Sequence, residues 1–375
     1  MNRKKKIIII IPSLFAVMVI GGLLYAQFML THQLPDAGDQ FELSDSVKKI
    51  IRENVDNGKH QALFVGIVDG DDIDYYHYGN TAKDGSTIDE NTLFEIGSVT
   101  KVFTTLLLAE MVEKGEIGLD DPIDKFLPEH VVTPSKNGKK ITILDLATHT
   151  SGLPRFPDDF PILDPDVMQE YDREKIYDYL SRVKIHREIG SQYEYSNIGV
   201  SLLGHIISLQ AGQSYEELVK TRISDKFGME NTCIKQCDKQ RDQFAKPHSF
   251  GNQVDELNLS EDMVGAGEIR SSGKDMLAFL SYAMGLKESS LKNSFELSQT
   301  ANHKIDDLLS VGLAWHITQD EDGRKIIWHN GATNGFASII GFDPESNQGV
   351  VILTNSMIPV DDIAVWLFQH GHMST

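Results

Sequence analysis

Phe94-Glu95-Ile96-Gly97-Ser98-Val99-Thr100-Lys101 is the stretch on which the reading of this chain turns. Phe94 and Ile96 read as the end of a strand and Gly97 as a sharp turn. Ser98 to Lys114 then reads as a helix, since it contains no Gly or Pro and Gly115 stops it. Ser98 and Lys101, three apart, share one face of that helix. A serine hydroxyl is a weak nucleophile and needs a base. A lysine serves if desolvation or a neighbouring cation lowers its pKa. The free N–H groups of a first helical turn also favour negative charge developing at Ser98.

The spacing alone carries little, because it recurs at Ser46/Lys49, Ser181/Lys184, Ser271/Lys274 and Ser289/Lys292. Only Ser98 stands between a strand and an apolar helix. Two later segments supply what a serine–lysine pair lacks. Tyr195-Ser196-Asn197 precedes the apolar run Ile198 to Leu209. A phenol works as a base only beside a cation, and Lys101 is the cation expected there. Asn197 offers both a donor and an acceptor to a substrate amide. His329-Asn330-Gly331-Ala332 ends a predicted strand. Gly331 admits close approach to the backbone, and the N–H of Ala332 with that of Ser98 would make an oxyanion hole. His329 is expected to orient substrate or its carboxylate, with a plain strand-edge histidine as the alternative. Tyr78-Gly79-Asn80 and His77-Tyr78-Gly79 repeat the short patterns inside a hairpin, where they need no chemistry.

Outward from these segments the pattern is strands at both ends and helices between. Leu43 to Val55 has helical apolar spacing. Ala62 to Val68 and Ile73 to Tyr78 are β-rich runs around the turn residues Gly70-Asp71-Asp72. Helical segments are expected near 143–148, 173–183, 197–211, 214–226 and 273–285. Strands return at Gly312 to Thr318, Arg324 to His329, Phe336 to Phe342 and Gln348 to Thr354, before a last helix from about Asp361 to Gln369. The expected fold is α+β: an antiparallel sheet from 44–97 and 310–375, a helical subdomain over about 115–300, and the site in the crevice between them.

The N-terminus is a separate object. Arg3, Lys4, Lys5 and Lys6 precede an uncharged run from Ile7 to about Leu30. A bilayer core needs about 20 apolar residues of helix, which this run supplies. Residues 1–30 therefore read as a single transmembrane anchor with its N-terminus cytoplasmic and the remainder on the outer side of the cell membrane. A cleaved signal segment, with a weak cut near Ala26 and a secreted product, is the alternative. Residues 31–43 form a tether, and 44–375 one hydrolase domain. The chain of 375 residues has a formal net charge of -20, with 41% apolar residues. That charge excludes nucleic acid as a partner, since phosphates would be repelled. Cys233 and Cys237 are the only cysteines; in an exported protein they could pair, although four apart on a helix their geometry is poor for a disulfide, and the sequence leaves the pairing open. No H-E-x-x-H or clustered Cys/His spacing occurs, so neither a metal nor another cofactor is expected.

With the three segments in this order, the chain resembles the class C β-lactamase-like, penicillin-recognising serine hydrolases, which carry S-x-x-K, then Y-x-N, then K-T-G or H-x-G. The likeness extends to Leu119-Asp120-Asp121-Pro122, Phe126-Leu127-Pro128, Leu146 to Pro154, Gly312-Leu313-Ala314-Trp315 and His329 to Phe336. It covers roughly residues 45–370. The resemblance implies a β-lactamase/transpeptidase-like fold and an acyl-enzyme mechanism on amide or ester bonds of a small-molecule or peptide substrate. It implies Ser98 as nucleophile, Lys101 and Tyr195 as general base and acid, Asn197 as a substrate contact, and the Ser98 and Ala332 amides as oxyanion donors. His329 and Asn330 replace the lysine and threonine of the β-lactamase enzymes. That departure leans toward the D-alanyl-D-alanine carboxypeptidases and esterases, with a β-lactamase proper, or a non-catalytic penicillin-binding sensor, as alternatives.

Overall fold

The computed structural model describes residues 43–162, 164–235, 237, 243–320 and 323–370. Helix α1 (Asp45–Asp56) is capped by the Ser44 side chain and buries Val47 and Ile51. Strands β1 (Ala62–Asp69) and β2 (Asp72–Gly79) form the expected hairpin, with Gly70 in the left-handed region at φ 58°. After them come β3 (Leu93–Glu95) and the long helix α2 (Thr100–Glu113), then α3 (Ile143–Ala147), α4 (Arg173–Arg182) and α5 (Asn197–Ala211). Strand β4 (Arg270–Ser272) leads directly into α6 (Gly273–Ala283), and α7 (Lys292–Ser298) follows. The chain ends with β5 (His303–Lys304), β6 (Leu309–Val311), β7 (His316–Gln319), β8 (Lys325–Ala332), β9 (Ala337–Asp343), β10 (Gln348–Thr354) and α8 (Asp361–His370).

Eight strands form one antiparallel sheet in the order β2-β1-β10-β9-β8-β7-β6-β5. The two ends of the chain meet where β1 pairs β10, Leu63 opposite Thr354. β1 and β10 are apolar and buried along most of their length because both faces are covered. Leu63, Val65, Ile67, Val350 and Ile352 pack under α1 and α8. Phe64, Val351, Leu353 and Ile340 face the main core with Met276, Leu277 and Leu280 of α6. The helix 273–283, which its place in the chain puts with the helical middle, thus belongs against the sheet.

Helix α2 is buried on every side from Thr100 to Met111, as an all-round apolar helix must be. It packs against α5 and α7. Its hydroxyls are satisfied across those contacts: Thr104 donates to Gly265 O at 2.6 Å and Thr105 to Leu313 O at 2.9 Å.

Three expectations need correction. Cys233 and Cys237 are not on a helix and do form a disulfide, with Cα atoms 5.6 Å apart. Cys233 pairs its backbone with Arg270 instead, and the bend at 234–235 that follows turns the chain back so that the thiols meet. Gly312 to Trp315 is not strand: Ala314 turns at φ 60°, and Leu313 and Ala314 donate to Ser298 O and Ala147 O rather than to the sheet. Strand β4, inside the helical middle, pairs with β3. The expected membrane anchor over 1–30 lies outside the described residues, and among the described ones no helix is long and apolar enough to cross a membrane.

Candidate active site

The turn that carries Ser98 is held by backbone. Gly97 has φ 50°, a conformation that costs any residue with a Cβ. A Cβ there would also lie 2.7 Å from Ala332 N. From the other side, a Cβ on Gly331 would run into Ile96 O and come within 2.9 Å of Ser98 N. Two glycines thus let strand β8 touch the turn, backbone against backbone. Ser338 locks the contact by donating from its hydroxyl to Ile96 O at 2.7 Å.

Strand β7 pairs β8 only as far as Trp328, so the edge from His329 to Ala332 is open. Backbone N–H groups alternate between the two edges of a strand. Thr333 donates to Phe336 O on the β9 side, so the Ala332 N–H points to the open edge, toward Ser98. Two N–H donors, those of Ser98 and Ala332, are therefore brought side by side. Such a pair can hold an oxyanion.

Ser98 is buried except for 8% of its surface, and Lys101 is fully buried. Lys101 Nζ lies 3.0 Å from Ser98 Oγ and donates to Ala266 O at 2.6 Å. Desolvation, with the nearby Arg155 guanidinium second, holds the amine well below the usual lysine range. A neutral amine there can accept the Ser98 proton.

Tyr195 is placed by the start of α5. Ser196 caps that helix, accepting from Gly199 N at 3.0 Å while donating to Pro154 O at 2.8 Å. The Ser196 N–H donates to His149 Nδ1 at 3.1 Å, and the Asn197 and Ile198 N–H groups donate to Arg155 O. The loop of residues 149–155 is thus the seat of Tyr195, and His149 takes φ 59° to make it. The Tyr195 ring lies over Lys101 Nζ, 4.8 Å from its centroid. Its hydroxyl is buried and faces Ser98 without a closed hydrogen bond. Burial pushes the phenol up to about 12, against the pull of Ser98 and Arg155.

The remaining expected residues divide. The Asn197 side chain is half-buried at the start of α5. His329 is fully buried, with Nδ1 2.6 Å from Asn330 O and its ring 6.3 Å from that of Tyr195. Burial, then His316 and Lys101, hold its imidazole well below 6.5, hence neutral. The Asn330 side chain leaves the site altogether, donating to Asp361 Oδ1 on α8 at 2.6 Å.

Three neighbours have no counterpart in the expected set. His149 stacks on Tyr195 at 4.5 Å, and His316 accompanies His329 at 5.2 Å. Burial keeps both neutral, His316 at about 4. The Arg155 guanidinium lies over the Tyr195 ring at 5.1 Å. His149 stands inside a segment that carries the family likeness, and that was its only signal; Arg155 and His316 had none. Two surface cavities, of about 490 Å³ around Lys59, His60 and Phe250 and about 360 Å³ around Glu256, Glu268 and Arg270, do not include Ser98. Among the described residues no group of three or more His, Cys, Asp or Glu could hold a metal ion.

Comparison with known proteins bears on the whole of this domain. The family model described as Beta-lactamase matches residues 47–370. A D-alanyl-D-alanine-carboxypeptidase/endopeptidase, AmpH, of Escherichia coli (strain K12) is 27% identical over 305 residues, covering 77% of this chain and 78% of its own length. A Beta-lactamase of Pseudomonas fluorescens is 27% identical over 334 residues, 79% of this chain and 89% of that one. Among solved structures, a Beta-Lactamase/D-Alanine Carboxypeptidase from Pseudomonas syringae superposes with a TM-score of 0.77 at 21% identity, covering 87% of this chain and 98% of that one. The last likeness is one of fold.

Proposed function

Since this chain belongs to the Beta-lactamase family and is a serine hydrolase, we propose that it is an acyl hydrolase of the D-alanyl peptidase and esterase kind, with Ser98 as its nucleophile. The observation that carries the assignment is a single contact: a fully buried Lys101 amine, without a carboxylate partner among the described residues, 3.0 Å from Ser98 Oγ.

Neutral Lys101 takes the Ser98 proton as Oγ attacks the substrate carbonyl carbon. The carbonyl oxygen becomes an oxyanion between the Ser98 and Ala332 N–H groups. Collapse of the tetrahedral species breaks the bond to the leaving amine or alcohol, which receives a proton from Tyr195. Tyr195 regains it from the Lys101 ammonium. Water then attacks the acyl-enzyme by the reverse relay and frees the acid. Asn197 holds the substrate amide at the rim. Gly331 permits the close approach of β8, while Asn330 holds the strand from behind through Asp361 and His329 packs on the site face beside Tyr195.

A fluorophosphonate probe tests this reading. Wild type is expected to label and Ser98→Ala not to. Equal labelling of the two, or none of either, would remove Ser98 from its role. A β-lactamase is the second reading, favoured by the Pseudomonas fluorescens relative. Turnover of a cephalosporin well above that of a D-alanyl-D-alanine peptide and a p-nitrophenyl ester would favour it.

The proposed location is the outer face of a membrane, with residues 1–30 as anchor. The four N-terminal cations and the uncharged run support this, and so does the Cys233–Cys237 disulfide, a bond that persists outside reducing compartments. Protease added to intact cells is expected to remove the hydrolase domain. Full protection until lysis would overturn the placement.

A further inference from the structure

A buried carboxyl group immediately precedes the turn that carries Ser98, and it takes no part in the proton relay. Glu95 is the last residue of β3, three before Ser98. Its Oε1 accepts from Leu257 N at 2.9 Å. The carboxyl also faces the Thr333 side chain, without a closed hydrogen bond. Arg270, opposite Glu95 on β4, holds Nη2 3.8 Å from Oε1 and donates it to Leu257 O at 3.3 Å. Glu256 stands 3.6 Å from the same Nη2.

Thr333 follows Ala332, and its N–H is committed to Phe336 O. Glu95 therefore reaches from the strand that delivers one oxyanion amide to the turn that follows the other. An apolar side chain would be cheaper to bury here, since a carboxyl forfeits its hydration. What only the carboxyl offers is hydrogen bonding. Burial raises it to about 7, so the protonated acid is well populated at neutral pH. That form presents an acceptor to the Leu257 N–H and a donor to Thr333 Oγ1. The ionised form accepts from the Thr333 hydroxyl instead, so the link survives titration. Hydrogen bonds of catalytic sites are often long in the free enzyme and tighten in the transition state.

We infer that Glu95 is a positioning residue for the oxyanion hole, its carboxyl setting the spacing of the Ser98 and Ala332 amides by linking the strand before one to the turn after the other. This rests on the proposed roles of Ser98 and Ala332, and the test separates the two. Turnover is measured with a p-nitrophenyl ester and its thionoester, which differ only in carrying sulfur for the carbonyl oxygen. Sulfur is larger and a weaker acceptor, so a well-set pair of amides favours the oxygen member, and wild type is expected to prefer it. Glu95→Ala should lower kcat with the oxygen ester about 10- to 100-fold, as a small misplacement of a catalytic group does, with KM within about threefold. The thionoester should lose less, so the ratio of the two narrows. Glu95→Gln keeps an acceptor and a donor in the same places and should restore rate and ratio. Glu95→Asp, a methylene shorter, should resemble Glu95→Ala. Thr333→Val removes the hydroxyl at nearly constant volume; it should narrow the ratio too, and it decides the matter if Glu95→Ala does not fold. No oxygen preference in wild type, an equal loss on both esters in Glu95→Ala, an unchanged ratio in Thr333→Val, or a Glu95→Gln variant as slow as Glu95→Ala would overturn the inference. Turnover by Ser98→Ala at the wild-type rate would instead place the fault in the assignment of the nucleophile.

Discussion

Lys101 is buried with no carboxylate to pair with among the described residues, an arrangement that burial penalises and chemistry needs. Replacing it by Met should separate the two effects. Acylation should fall by about 10²–10⁴, the contribution of a positioned base. The thermal midpoint should hold or rise, because a desolvated amine is replaced by an apolar side chain of similar length. A large drop in the midpoint would assign Lys101 to the fold instead. The pH profile follows from the same group. The reactive form is the neutral amine, so kcat/KM should climb as pH rises through the depressed pKa of Lys101 and then level off. Tyr195, at about 12, stays protonated across the working range and adds no alkaline fall between pH 8 and 10. A bell centred below pH 8 would contradict both assignments. At this scale the sequence was informative where a residue sits in a local pattern. Ser98, Lys101, Tyr195 and Asn197 each belong to a short motif placed at the start of a helix. Arg155 and His316 belong to none. They reach the site through the loop after α3 and through strand β7, and only tertiary structure aligns those with Tyr195 and His329.

Among the elements, the decisive contact is that of β8 with the turn before α2. Gly97→Ala and Gly331→Ala each add one methyl group to a backbone–backbone approach. Gly97→Ala also forces a positive φ, at about 1–3 kcal/mol. Both variants should lose acylation by more than about 10²-fold, as removal of an oxyanion donor does, while the eight-stranded sheet persists by circular dichroism. Activity within about threefold of wild type would show that β8 need not approach Ser98. Ser196→Ala removes the cap of α5 and should cost about 1 kcal/mol of stability. It also frees the loop that seats Tyr195, so kcat should fall with little change in KM. The long elements could be read in advance from apolar spacing: α1, α2, α5 and the strands β1, β2, β9 and β10. The short ones could not. Three residues of β4 carry too little pattern to stand out inside a helical region, and the turn at Ala314 looks like strand because its residues are apolar. The cysteine pair misled for a related reason. Spacing of four suggests helix, but Cys233 pairs with Arg270 and the chain bends directly after it.

For the molecule as a whole, buried ionisable groups set opposing pH limits on stability. His60 and His316 sit at about 4, and His149 and His329 are held well below 6.5. The unfolded chain binds more protons at these positions below pH 6.5, so their share of stability is present above that value and is lost as pH falls toward the folded pKa values. Glu95 and Glu268 act in the opposite sense. Burial raises them to about 7 and about 8, so the folded chain keeps protons that the unfolded one releases. Their share is complete below about pH 4.5 and disappears as pH rises through 7 and 8. The unfolding midpoint should therefore peak between about pH 6 and 7. Glu268→Gln should flatten the alkaline limb, worth a few kcal/mol at most, and steepen the acid limb above about pH 4.5, where the Glu268 term opposes the histidines. An alkaline limb unchanged by that substitution would mean that Glu268 titrates normally. The pairing of β1 with β10 sets a different kind of limit, one of timing. Residues 62–69 find their neighbour only when residues 348–354 have been made, which closes a loop of most of the chain and adds slow, non-local contacts. A polypeptide emerging N-terminus first, from a ribosome or through a narrow pore, holds its nucleophile long before it holds a working centre. Ser98, as the proposed nucleophile, is therefore expected to stay chemically silent until the final stretch arrives, so that the order of assembly forestalls premature acylation during synthesis.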